Sequence, residues 1–206
     1  MDTWTQVKNG REAFGSYLSN LSADDWSKQS LCADWSTKEL VAHMLVIPTM
    51  SKGQVFRAFL GSRFNLDRMN AKVVGKLTAT MSANQLAAAT TSSAASHGMP
   101  PGLKLPGVLN ELVIHSADVA EGVGKPFDLP TADYVSCLVY LKDVQPVFRA
   151  KQRIAGLRLQ ATDSDWSTGS GPLVTGTSKY LLLAMAGRPA AFAHLTGDGV
   201  ATIQAR

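Results

Sequence analysis

The sequence predicts a mainly α protein: an up-down four-helix bundle followed by a small C-terminal α/β subdomain. Three observations lead there. Apolar residues recur at helical spacing through the first two-thirds of the chain, and two Ser-x-x-(Glu/Gln) capping boxes mark helix starts. After Arg153 the pattern changes to short alternating runs separated by Gly, Ser and Asp. The 206 residues suffice for one sizeable core with an appendage, divided here into a bundle over residues 1–150 and a smaller domain over 151–206.

Each element has its own signal. Trp4, Val7, Ala13, Phe14, Tyr17, Leu18 and Leu21 follow a helical period, which Ser22-Ala-Asp-Asp25 breaks. Ser36-Thr-Lys-Glu39 opens the next helix, expected to run to about Phe59 with a kink at Pro48. Asn65 to Thr80 and Ser82 to Ala95 read as helices, the second opened by Ser82-Ala-Asn-Gln85, and Ser96 to Gly102 reads as a loop. Leu105 to Glu121 is a helix closed by Gly122 and Gly124, and Thr131 to Phe148 is another. Helices joined by short connections imply an antiparallel bundle, an architecture that builds metal sites from inward-facing side chains.

In the last third, Leu157-Arg-Leu-Gln-Ala161 alternates as a half-buried strand does, and Thr162-Asp-Ser-Asp165 ends it. A turn at Gly169–Pro172 precedes a short extended piece, Leu173-Val-Thr175, and Ser178 to Ala186 is a compact apolar helix. Gly187-Arg188-Pro189 stops that helix and starts a shorter one, and Gly199-Val-Ala-Thr-Ile203 reads as a final strand.

Twenty Lys and Arg against sixteen Asp and Glu leave a net charge of +4, and the charges read as scattered. The densest basic stretch, Arg149-Ala-Lys-Gln-Arg153, lacks the interleaved aromatics of a single-strand platform, so no nucleic-acid partner is expected. No apolar run approaches the ~20 residues of a membrane span, and Met1 to Asn9 lacks the apolar core of a signal peptide. A cytoplasmic protein with no membrane partner is expected. Its two cysteines, Cys32 and Cys137, should stay reduced there, Cys137 as a small buried hydrophobe and Cys32 near the surface.

The chemistry-bearing motif is Glu111-Leu-Val-Ile-His115, a carboxylate and an imidazole one helical turn apart, with His43 upstream in Trp35-Ser-Thr-Lys-Glu-Leu-Val-Ala-His43. Together the three side chains offer a divalent metal three ligands and leave a coordination position open. The same spacing also makes an ordinary helix ion pair worth ~0.2–0.5 kcal/mol, and a lone His on an apolar helix can simply be a core residue.

Four segments carry a resemblance to a known family. Cys32-Ala-Asp-Trp-Ser-Thr-Lys-Glu-Leu-Val-Ala-His43, Glu111-Leu-Val-Ile-His-Ser-Ala-Asp118, Ala161-Thr-Asp-Ser-Asp-Trp166 and Leu183-Ala-Met-Ala-Gly-Arg188 together resemble the mycothiol-dependent maleylpyruvate isomerases, in the family's order. The resemblance implies a DinB-like metal-binding four-helix bundle with a small C-terminal α/β domain. It implies His43, Glu111 and His115 as metal ligands and Arg188 as the arginine near the active site. One position departs from the pattern: Ala117 stands where a tryptophan often precedes the aspartate, which implies a different pocket wall.

By the same resemblance, the metal, zinc by its donor set, activates the thiol of mycothiol for addition to an electrophilic small molecule. In a maleylpyruvate-type reaction, addition to the cis double bond, rotation and elimination give the trans isomer. Arg188 suits an anionic substrate group, or else it caps or pairs at its helix end. Asp118, one turn after His115, either orients that ring or is a solvated aspartate. His97 and His194 read as a loop histidine and a packing residue, and Trp26, Trp35 and Trp166 as fillers of the core or the domain seam. Two other readings stay open: a mycothiol S-transferase acting on another electrophile, and a non-catalytic metal- or small-molecule-binding protein.

Overall fold

The computed structural model of the chain describes residues 1–99, 103–143 and 149–206. It is mainly helical, with one small sheet, and falls into two compact units, Met1–Phe127 and Asp128–Arg206.

In the first unit, Asp2 starts α1 (Thr3–Ser19) by accepting from the amides of Trp4 and Thr5. A short α2 (Ala23–Ser27) follows, opened by Ser22 and Asp25, so the segment expected to break the first helix also caps a second. The box at Ser36 and Glu39 forms as expected and opens α3 (Thr37–Thr49). That helix ends just after Pro48. Met50 is extended, and Ser51 with Gln54 makes a new capping box for α4 (Lys52–Gly61), so the expected single helix is two.

Next come α5 (Leu66–Thr80), α6 (Ala83–Ser92, capped by Ser82 and Gln85) and the long α7 (Leu105–Val123). Gly124 ends α7 in the left-handed conformation, φ 75°, which a residue with a Cβ resists. Part of the expected Ser96–Gly102 loop, residues 100–102, lies outside the described residues. α1 packs on α6 and α7, and α3 packs on α5, α6 and α7. The shared core holds Phe14, Leu18, Trp26, Leu40, Val41, Leu45, Val74, Leu86, Val119 and Val123, each buried by the apolar stripe of its own helix.

The second unit begins with α8 (Thr131–Leu141), followed by α9 (Ala150–Arg153), β1 (Arg158–Ala161), β2 (Ser167–Gly169) and β3 (Leu173–Gly176). The expected extension of α8 to Phe148 runs into residues 144–148, outside the described residues. The sheet order is β2-β1-β3, with β1 antiparallel to β2 and parallel to β3. α10 (Ser178–Met185) packs on α8, so α8 groups with this unit and the contacts divide the chain earlier than the expected boundary at 150.

A 3-10 turn over Pro189–His194 precedes α11 (Val200–Gln204). The expected final strand at 199–203 is thus mostly a helix. Thr196 forms the bridge to Thr175 on β3, and the Gly199 amide donates to the Leu173 carbonyl, so the chain leaves the sheet edge before residue 200.

Candidate metal centre

His43 lies in the second turn of α3, and Glu111 and His115 lie one turn apart on α7. Packing of α3 on α7 brings the three together. His115 Nε2 is 3.4 Å from Glu111 Oε2, and His43 Nε2 is 3.8 Å from the same oxygen. The two rings stand nearly perpendicular, 83°, with centroids 5.6 Å apart. One donor atom from each residue lies within 4.8 Å of the others, and no other such group of His, Cys, Asp and Glu occurs among the described residues.

The donor atoms fit a divalent ion. Ligands at 2.0–2.1 Å from a tetrahedral zinc lie about 3.4 Å from one another, close to the two separations in this site. Two imidazoles and one carboxylate are also the borderline donor set that zinc and its neighbours accept. His43 Nδ1 is buried with no hydrogen-bond partner among the described residues, an orphaned polar atom on one of the three triad side chains.

Charge is arranged to match. Burial opposes a charged His115 ring, but hydrogen bonds to Asp118 and Glu111 outweigh it and its pKa is pushed up to about 9. Burial opposes ionisation of Glu111 as well, although 40% of its side-chain surface stays open to solvent. Its hydrogen bonds to His115 and His43 prevail and hold the carboxyl well below the usual carboxylate range. The triad therefore draws positive charge to one point, a proton or a metal ion in competition.

Two neighbours shape the triad. Asp118 is fully buried, and its Oδ2 lies 3.0 Å from His115 Nδ1. The Trp35 ring meets the His43 ring at 4.3 Å between centroids. Trp35 thus packs directly on a ring of the triad. It sits on a tight turn in which Gln29 Nε2 donates to the carbonyls of Cys32, Ala33 and Trp35, and Ser30 Oγ donates to the Trp35 carbonyl. The Leu31 amide of that turn donates to the Asp118 carbonyl on α7.

The remaining candidates sit elsewhere. His97 stacks on Trp4 and His194 on Tyr180, as packing residues do. Cys32 is half-buried and Cys137 is buried, and neither is in a disulfide among the described residues. Ala117 is buried within α7, and Trp26 and Trp166 are buried as well. Arg188 belongs to the second unit, where it precedes the 3-10 turn and its amide donates to the Leu183 carbonyl.

Fold and triad define a helical protein with a candidate divalent-metal centre. The chain belongs to the family of the mycothiol maleylpyruvate isomerase N-terminal domain, whose profile matches residues 7–120, a span that includes all three triad residues and Asp118. A solved structure of the mycothiol-dependent maleylpyruvate isomerase is similar over 95% of this chain and 91% of that one, at TM-score 0.63 and 17% identity. A histidine-to-alanine mutant of that isomerase matches over the same shares, at TM-score 0.63 and 16% identity. At these identities the likeness establishes the fold. No curated protein matches the chain. Among the described residues no helix is long and apolar enough to cross a membrane.

Proposed function

We propose that the protein is a divalent-metal enzyme that uses mycothiol to attack an electrophilic small molecule, in a cis-trans isomerisation of the maleylpyruvate type. The observation that carries this reading is the triad itself, with Glu111 Oε2 at 3.4 Å and 3.8 Å from two imidazole nitrogens. His43, Glu111 and His115 hold the ion. Bound there, zinc would lower the pKa of a thiol so that mycothiol is presented as thiolate near neutral pH.

The rest of the reaction falls to the substrate and the chain. The thiolate adds to the cis double bond, a C–S bond forms, and the electron pair moves onto the conjugated carbonyl oxygen. The former double bond rotates, and the returning pair expels the thiolate to leave the trans isomer, with no net change of atoms or electrons. Asp118 keeps the His115 ring in one tautomer. Arg188 holds a substrate carboxylate or the developing enolate through its forked donors.

Ala117, where relatives often carry tryptophan, supports a second reading in which the same thiol is transferred to a different electrophile. The test is elemental analysis of the purified protein and of His43→Ala, followed by mycothiol titration and an isomerisation assay. The reading expects one metal per wild-type chain, its loss in the variant, and thiol binding only to the loaded protein. A metal-free wild type, or a variant that keeps its metal, overturns it. Metal and thiol binding without isomerase turnover moves the assignment to the transferase.

A further inference from the structure

The positive charge of this chain is concentrated in one place. Between residues 51 and 80 six Lys and Arg face a single Asp, a net +5, so the remainder carries −1 within the chain total of +4. No short run within residues 51–80 is basic, which is why these charges read as scattered along the sequence. The α4–α5 segment gathers them: Arg57, Arg63, Arg68, Lys72 and Lys76 are all exposed, and none makes an ion pair among the described residues.

The same segment carries most of the misplaced apolar surface. Phe56, Leu60, Phe64 and Leu66 are 43 to 65% exposed, four of the seven large hydrophobics that stand out in solvent among the described residues. Phe56 and Leu60 are one turn apart on one stripe of α4, while Val55, Ala58 and Phe59 are half-buried. Phe59 meets Phe64 edge-on at 5.4 Å, which ties the helix to the tip that follows it.

That tip is held in an unusual backbone. Arg63 and Phe64 are consecutive non-glycine residues at φ 55° and 60°, a conformation that bulky L residues resist. Ser62 before them is buried, and its hydroxyl has no partner among the described residues. The strain turns a cation and an aromatic ring outward together, where neither contributes to the core.

We propose that the α4–α5 segment is a docking surface for an anionic lipid bilayer, with Phe56, Leu60, Phe64 and Leu66 entering the headgroup–acyl boundary and the five cations contacting the headgroups. Exposed Phe and Leu interleaved with Arg and Lys is the chemistry of helices that lie in a membrane interface. A second copy of the chain is a poor occupant, because a two-fold contact would bring two strongly cationic faces together. Nucleic acid is a poor one as well: it would use the cations and leave the apolar groups in water. A fluid anionic surface uses both. The contact is peripheral and adds a membrane partner that the lack of a spanning segment argues against in the sequence.

The test is sedimentation of the full chain with vesicles of phosphatidylglycerol and phosphatidylcholine, against vesicles of phosphatidylcholine alone. Binding to the anionic vesicles should be at least about tenfold tighter and should weaken as salt rises from ~0.1 to 0.5 M. Phe56→Ser with Phe64→Ser should lose roughly tenfold or more, the effect of one or two buried Phe side chains. Arg63→Glu with Arg68→Glu should lose a similar factor by a different route, with melting curves showing both variants folded. Phe64→Trp should shift its fluorescence to the blue only on anionic vesicles. Equal binding to both vesicles, unchanged binding by both double variants, or a face that binds a DNA duplex or self-associates without binding vesicles would each overturn the proposal.

Discussion

Asp118 Oδ2 lies 3.0 Å from His115 Nδ1, the ring nitrogen opposite the one that faces Glu111. A buried carboxylate in that position fixes the ring orientation and leaves Nε2 free for a metal ion. Asp118→Asn and Asp118→Ala should weaken zinc binding by about 10- to 100-fold, alanine by more because it leaves Nδ1 buried and unpaired. Competition with a chromogenic chelator measures this directly. A well-folded Asp118→Ala with wild-type affinity would remove Asp118 from the site.

Asp25 makes a pH-dependent prediction. Its carboxylate pairs with Lys125 and with Lys28 at 3.0 Å, and accepts from the Ser22 amide and hydroxyl, tying α2 to the end of α7. The bond to Lys125 first, then those to Ser22 and Lys28, hold its pKa well below the usual carboxylate range. A pKa depressed by folding adds stability above the unfolded value, about 3.9, and loses it as pH falls toward the folded value. Asp25→Asn should therefore lower the urea midpoint at pH 7, with the gap to wild type narrowing below pH 4. A gap that stays constant down to pH 2 would contradict the linkage.

What the sequence discloses follows from which forces are local. The helices with clear period and caps, such as those opened by Ser36 and Ser82, form where periodicity puts them, because caps and stripes are decided within a few residues. The break after Pro48 is equally local: Ser51 and Gln54 carry a capping box, and the apolar run across it hides the signal. Nonlocal competition decides the rest. Val200, Thr202 and Ile203 have strand-like side chains, but the Thr196 bridge holds the edge of β3, so those residues turn into a helix that buries Ile203. In the candidate site, Glu111 and His115 are legible as an i, i+4 pair. The contact of Trp35 with His43 is not, since it depends on how a turn folds back on α7.

That turn rests on Gly122. A Cβ there would come within 2.5 Å of the Gln29 carbonyl oxygen and 2.7 Å of Ser30 Cα, both backbone atoms that cannot rotate away. Gly122→Ala should push residues 29–36 off α7, strain the Leu31–Asp118 bond and cost about 1–3 kcal/mol despite the better helix propensity of alanine. Gly75, on the exposed face of α5, has nothing within 4 Å of the place a methyl group would take, so Gly75→Ala should stabilise by about 0.5–1 kcal/mol. Urea midpoints of the two variants should move in opposite directions, and Gly122→Ala should also bind zinc more weakly through the displaced Trp35. A Gly122→Ala midpoint at or above wild type would mean that the turn does not bear on α7 in this way, and a lowered Gly75→Ala midpoint would contradict the open space around Gly75.

Under the proposed function, Arg188 should separate metal binding from turnover. It lies in the second unit among like charges, beside Arg153, whose guanidinium donates to the Met185 carbonyl at 2.8 Å. If it holds the anionic group of the substrate, Arg188→Ala should keep full metal stoichiometry while kcat/KM for mycothiol-dependent isomerisation of maleylpyruvate falls by about 10²- to 10³-fold. Arg188→Lys should recover only part of that loss, because a single ammonium cannot replace two parallel bonds to a carboxylate. Loss of metal in Arg188→Ala would make the residue structural, and turnover equal to wild type would remove it from the reaction altogether.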